Sequence, residues 1–274
     1  MKPIITMSKL GHWGRFANQV FQYAFLRIYV AINNFDYQVP PWIGQYLFGH
    51  NDPSIDQFLP LVNDSLNNHL YDASKSTIAG NKNPRGNIDI IGYFQYHTSF
   101  YAQHQAYFRK LFNPTSKIVS VVGKTINILR TKGNTIIGCH LRRGDYGTFT
   151  RDSAKCFFVA PSIWYLRWLD ENWEKLDKPV LFIASDELDK VKSDFKKYNP
   201  ITTEDIKLPE ASFYPDFYTL TQCNIHLISN SSFSFVASML STQGKEFFRP
   251  RLSQQKLISY DPWNSHTVLR DERY

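Results

Sequence analysis

Three short apolar runs in the second half of the chain each end abruptly in a polar cluster. Ile136-Ile137-Gly138-Cys139 passes into His140-Leu141-Arg142-Arg143-Gly144-Asp145, LFIA (181–184) into Ser185-Asp186-Glu187, and IHLI (225–228) into Ser229-Asn230-Ser231-Ser232. Apolar runs of this length, bounded by turns, predict buried parallel strands. Helical spacing over 161–173, 188–198 and 234–241 supplies the crossovers that parallel pairing requires. A doubly wound α/β sheet follows, and the carboxyl ends of its neighbouring strands open on one crevice. The three polar clusters are therefore expected to share a ligand.

The first half begins the same way. A strand over 3–7 leads into the polar loop SKLGHWGR (8–15), then a helix over 18–31 with Val20, Phe21, Ala24, Phe25 and Ile28 on one face. GHWGRFAN is neither a dinucleotide fingerprint nor a P-loop. Residues 33–87, rich in Asn, Asp, Pro and Gly, predict long loops with short elements, and DIIGYF (89–94) predicts a strand. Over 96–112 the aromatics Phe100, Tyr101, Tyr107 and Phe108 recur at helical spacing. They read either as a helix packing its rings in the core or as a shelf for sugar rings. Asn113-Pro114 stops that helix, another is predicted over 118–129, and Thr131-Lys132-Gly133-Asn134 reads as a linker. The 274 residues thus divide into two α/β domains, 1–132 and 133–274.

Composition removes several alternatives. The net charge of +7 lies wholly in residues 1–137, with 13 basic against 6 acidic side chains; the remainder carries 18 of each sign. The basic residues are scattered, with no recognition helix or RNA-binding strand beside them, so no nucleic-acid partner is expected. Three widely spaced cysteines (Cys139, Cys156, Cys223) form neither a disulfide framework nor a zinc motif. The longest apolar stretch, 16–32, contains Asn18, Gln19, Gln22 and Arg27 and will not span a bilayer. The opening residues do not resemble a secretory signal. A cytoplasmic protein is expected.

The strand-end clusters are chemically complementary. Arginine offers a permanently charged fork suited to phosphate oxygens. Asn-Ser-Ser at a helix start offers hydroxyls and free amide hydrogens to the same anion. The Asp186 carboxylate can accept two hydrogens from an N–H/NH₂ edge such as guanine presents. A nucleoside diphosphate uses all three. Each cluster also has a plainer reading: Arg142 and Arg143 as a solvated pair bridging to Asp145 or Asp152, Ser231, Ser232 or Asp186 as helix caps, His140 as a core histidine. The chain contains no D-x-D, no H-E-x-x-H and no G-x-S-x-G. A departing diphosphate would be stabilised by arginine and backbone dipoles, and no metal or other cofactor is expected.

Five elements in order resemble glycosyltransferase family 11, the α-1,2-fucosyltransferases: GRFANQVFQYA (14–24), IGYFQ (91–95), HLRRGDY (140–146), FIASDE (182–187) and ISNSSFSF (228–235). The chain departs from the family at Ala17, Glu187 and Phe235-Val236. The resemblance implies two Rossmann-like domains facing across a cleft (GT-B-like), with 1–132 on the acceptor side and 133–274 on the donor side. It implies inverting, metal-independent transfer of fucose from GDP-fucose to a glycan hydroxyl, α-1,2 to galactose. It also implies donor-binding roles for Arg15, Asn18, Gln19, His140, Arg142, Arg143, Asp186, Asn230, Ser231 and Ser232. Arg142 is the catalytic group on the diphosphate. The base stays open among Asp145, Asp152 and Asp36. Alternatives are another GDP-sugar, a protein acceptor, or a binding module without turnover.

Overall fold

A computed structural model describes residues 1–64, 72–147 and 157–269. The α/β class expected from the sequence is the observed one. The chain forms two compact units, Met1–Thr115 with Trp263–Thr267, and Ser116–Pro262 with Val268–Tyr274.

In the first unit, β1 (Ile4–Thr6), β2 (Asp36–Gln38), β3 (Leu61–Asn63) and β4 (Ile88–Ile91) pair in parallel in the order β2-β1-β4-β3. The strand order reverses beside β1, so the loops after β1 and β4 share the switch-point end of the sheet. Helix α1 (Phe16–Asn33) is buried along most of its length, and Asn34 closes it in the left-handed conformation. α2 (Ile43–Phe48) lies between β2 and β3. The helix expected over 96–112 is two pieces, α3 (Ser99–Ala102) and α4 (Gln105–Leu111). Its rings belong mainly to the core, where Tyr101 and Phe108 are fully buried. A long-range contact reshapes the start of this region: the N–H and hydroxyl of Thr98 both donate to the Ser265 carbonyl at 2.9 Å.

The second unit opens with α5 (Ser116–Lys132), which packs on α8 (Tyr214–Thr221) and on β6 (Pro179–Ser185). The domain line expected at 132/133 assigns this helix to the first half; the compact units divide after Thr115. β5 (Thr135–Leu141) lies between β6 and β7 (Ile225–Leu227), all parallel. β8 (Glu246–Arg251) continues the sheet in parallel, and β9 (Lys256–Ser259) closes the edge antiparallel to it. The crossovers include α6 (Ser162–Asn172), α7 (Leu188–Val191) and α9 (Ser232–Leu240). Ile137, Cys139, Leu141, Leu181, Ile183, Ile225 and Leu227 form the sheet's contribution to one apolar core, against Trp164, Tyr165 and Leu169 of α6. From β5 the chain moves one way to β6 and later the other way to β7, which makes the carboxyl end of β5 the switch point. No described helix is long and apolar enough to cross a membrane.

Candidate active site

The three polar clusters sit at the carboxyl ends of adjacent strands β6, β5 and β7 and are tied to one another. Ser185 Oγ donates to the Leu141 carbonyl at 2.7 Å. Asp186 accepts the backbone N–H of Arg143 at 2.8 Å with one oxygen, and its other oxygen lies 2.9 Å from the Arg142 guanidinium. Tyr146 donates its hydroxyl to the Asn230 carbonyl at 3.2 Å, which joins the turn after β5 to the turn after β7.

Arg142 is held on two sides. Asp145 accepts from its guanidinium at 2.5 Å, and Asp186 pairs with it from the neighbouring strand end. The Tyr146 ring lies 5.4 Å from its charge centre. Its side chain is 16% exposed, so the fork is positioned but reaches solvent. Five N–H donors on a fixed plane leave capacity for an anion after these contacts. Arg143 is committed to structure: it donates to the carbonyl of Ala160 at 2.8 Å, to Ser162 Oγ at 3.1 Å and to the Arg142 carbonyl at 3.2 Å.

His140 ends buried in the sheet, its Nδ1 2.8 Å from Ser229 Oγ and 2.9 Å from Ser234 Oγ. Burial, with the Arg143 charge nearby, pushes its pKa down to about 3, which keeps the ring neutral. Ser231 caps α9, accepting the N–H of Phe233 at 3.3 Å, while Ser232 is partly exposed in the first turn. Asn230 is fully buried: its oxygen accepts from Arg249 (3.2 Å) and the Leu269 N–H (2.8 Å), and its NH₂ donates to the Leu269 carbonyl at 2.8 Å.

Gly144 allows this arrangement. Its φ is +22°, and a Cβ there would lie 2.4 Å from an Asp186 oxygen. Gly144→Ala is therefore expected to push Asp186 off Arg142 and to cost about 1–3 kcal/mol of local strain. Denaturant unfolding measures that cost, and unchanged stability would show that the turn adapts freely.

The first unit carries its own cluster at the carboxyl ends of β1 and β4. Gln19 is buried and donates to the carbonyls of Gly11 (3.3 Å) and Gly14 (3.2 Å), and Gln22 donates to that of Trp13 at 3.1 Å. These amides shape the loop. Asn18 accepts from Gln95 at 2.5 Å, and the Trp13 and Tyr93 rings lie 5.0 Å apart, so the GRFANQ and GYFQ motifs meet. Arg15 is exposed at the start of α1.

Of the three carboxylates left open as a base, Asp145 is engaged with Arg142. Asp36 opens β2 at the amino end of the sheet, opposite the loops. Asp152 lies outside the described residues, as does Cys156. Among the described residues no group of three or more His, Cys, Asp or Glu is placed to hold a metal ion.

Sequence reasoning missed Arg249. It lies in β8, 2% exposed, its charge centre 5.3 Å from the Phe235 ring and 5.2 Å from that of Tyr260. Burial lowers its pKa to about 10. Nothing local in EFFRPR signals that this arginine supports Asn230.

Solved structures share this fold. Over 96% of this chain and 99% of the other, fucosyltransferase NodZ from Bradyrhizobium matches with TM-score 0.61 at 13% identity. POFUT1 in complex with GDP matches over 90% of this chain and 98% of its own, TM-score 0.58, 10% identity. These establish the GT-B-like fold. The α-1,2-colitosyltransferase of Escherichia coli is 23% identical over 205 residues, 72% of this chain and 68% of its own. The model of glycosyl transferase family 11 matches residues 2–249, a span that takes in the first sheet, strands β5 to β7 and all three tied strand ends; the chain belongs to that family and is a glycosyltransferase.

Proposed function

We propose that this protein is an inverting, metal-independent fucosyltransferase that moves L-fucose from GDP-fucose to a glycan hydroxyl, α-1,2 to galactose. The observation that carries the reading is Arg142, a partly solvated guanidinium fixed between Asp145 and Asp186 at the switch point of the second unit's sheet. NodZ has been solved after soaking with GDP-fucose and POFUT1 in complex with GDP, which supports that donor class.

In this reading Arg142 binds the β-phosphate. Departure of GDP concentrates negative charge there, so a contact that tightens as charge develops lowers the barrier. Ser231 and Ser232, with the amides of the first turn of α9, receive other phosphate oxygens. Asp186 retains lone pairs beyond its two present contacts and takes the guanine N–H edge. His140, Arg143 and Asn230 hold these groups in register. Buried, free Cys139 and Cys223 fit a reducing compartment such as the cytoplasm.

The test is transfer from GDP-fucose to lactose in the presence of EDTA, with the product read by NMR. An α-linked fucose on the galactose 2-hydroxyl is expected; a β-linkage, or transfer that stops with EDTA, contradicts the proposal. A second reading is favoured by the E. coli relative. Colitose is fucose lacking the 3-hydroxyl, so a donor of that sugar would occupy the same diphosphate site. Competition between the two GDP-sugars separates the readings, and preference for the deoxy donor would replace fucose by colitose.

A further inference from the structure

In the first unit, Asp72 and Ser74 beyond β3, His97, Ser99 and Phe100 beyond β4, and His266 line an open cavity of about 450 Å³. It lies past the carboxyl ends of two paired parallel strands, the edge at which open α/β sheets take ligands, and its size falls within the usual range for small-molecule sites. His97 follows Gln95 by two residues, so the cavity adjoins the GYFQ motif that meets Asn18.

Its lining is specific in kind. Phe100 is fixed by neighbouring rings, Tyr101 at 5.0 Å, Tyr96 at 5.2 Å and Phe25 at 6.2 Å, and supplies a rigid apolar surface. The His97 and His266 rings meet edge to face at 4.7 Å, and Ser99 Oγ is 2.8 Å from His97 Nδ1. Asp72 accepts from the N–H and hydroxyl of Ser74, at 3.0 and 2.7 Å; these contacts lower its pKa, so a carboxylate acceptor is kept at the rim. No arginine or lysine is among the described lining residues, and the neighbouring Lys75 ammonium, 3.7 Å from an Asp72 oxygen, is paired with that carboxylate.

The geometry points to a binding subsite for a neutral pyranose ring, the acceptor glycan of the proposed transferase. One C–H face of the sugar stacks on Phe100, and its hydroxyls are shared by the Asp72 carboxylate, the two imidazoles and the serine hydroxyls. An aromatic surface rimmed by acceptors and donors, with the one neighbouring lysine paired to a carboxylate, fits a polyol better than an anion or a lipid. The subsite rests on the transferase reading, but it lies wholly within the first unit and its binding can be measured alone.

The experiment is saturation-transfer NMR on the whole protein with the methyl glycosides of galactose, glucose, N-acetylglucosamine and mannose at millimolar concentration. Wild type is expected to give a signal with at least one. Asp72→Asn, at an exposed position, removes one charge-assisted hydrogen bond and is expected to weaken that binding about tenfold. Phe100→Leu keeps apolar volume but loses the flat surface and weakens it similarly, with circular dichroism confirming the fold of each variant. No signal from any of the four, or a signal unchanged in both variants, overturns the subsite. GDP titrated into the same samples keeps the two ideas apart. GDP binding without sugar binding removes the subsite and leaves the donor reading, whereas the reverse outcome removes the donor reading.

Discussion

Arg142→Ala is expected to lower the rate of transfer by about 10²–10³, the usual cost of removing one donor from a developing anion. The protein should remain folded. The side chains of Asp145 and Asp186 are 34% and 24% exposed, so both can turn to water when their partner is removed, and ion pairs at this exposure contribute little to stability. Arg142→Lys should recover only a small part of the rate. One ammonium cannot face Asp145, Asp186 and a phosphate together as a planar fork does. Single-turnover transfer under saturating donor reads the effect on the chemical step, while the donor KM reads binding. A variant with wild-type kcat would show that Arg142 binds the donor no more tightly in the transition state than in the ground state, which contradicts a role in stabilising the leaving group.

The second large effect is on acid stability. Burial lowers the pKa of His140 to about 3 and of His226 to about 4, against an ordinary value near 6.5. Both stay neutral in the folded chain while the unfolded chain takes up protons. The stability they contribute is therefore present above about pH 6.5 and lost as the pH falls towards 4. Asp216 acts in the opposite direction. Burial raises its pKa to about 6, so the folded state gains a proton there first. Two groups against one leave a net loss of about 1.4 kcal/mol per pH unit between about pH 6 and 4. His226→Gln should flatten that slope, and Asp216→Asn should roughly double it. Denaturant unfolding at a series of pH values measures both. Wild-type stability that is level across the window, or slopes unmoved by the substitutions, would refute the assignment.

The strand ends were legible because their signal is local. An apolar run that meets arginines, a carboxylate or serines marks the boundary between core and crevice, and the observed strands end at Leu141, Ser185 and Leu227. What the sequence did not disclose depends on partners far along the chain. The helix expected over 96–112 begins only after Thr98, which is tied to Ser265, 167 positions away. β8 reads EFFRPR, with a proline and three charges that obscure any strand pattern, yet Arg249 within it supports Asn230. α5 has the periodicity of a helix wherever it packs, and only its contacts with α8 and β6 assign it to the second unit. For the arginine pair, the partners that fix each side chain lie on other elements: Arg143 is fastened to the Ala160 carbonyl and to Ser162, and Arg142 is held between carboxylates.

The proposed guanosine-diphosphate site at the end of β5 is built around Arg142. Calorimetric titration of GDP, with UDP as the control and EDTA present, tests it most directly on wild type and Arg142→Ala. Binding of GDP alone, weakened about tenfold or more by the substitution, is the predicted result. Equal binding of both nucleotides, binding of neither, or GDP binding indifferent to Arg142 would contradict it.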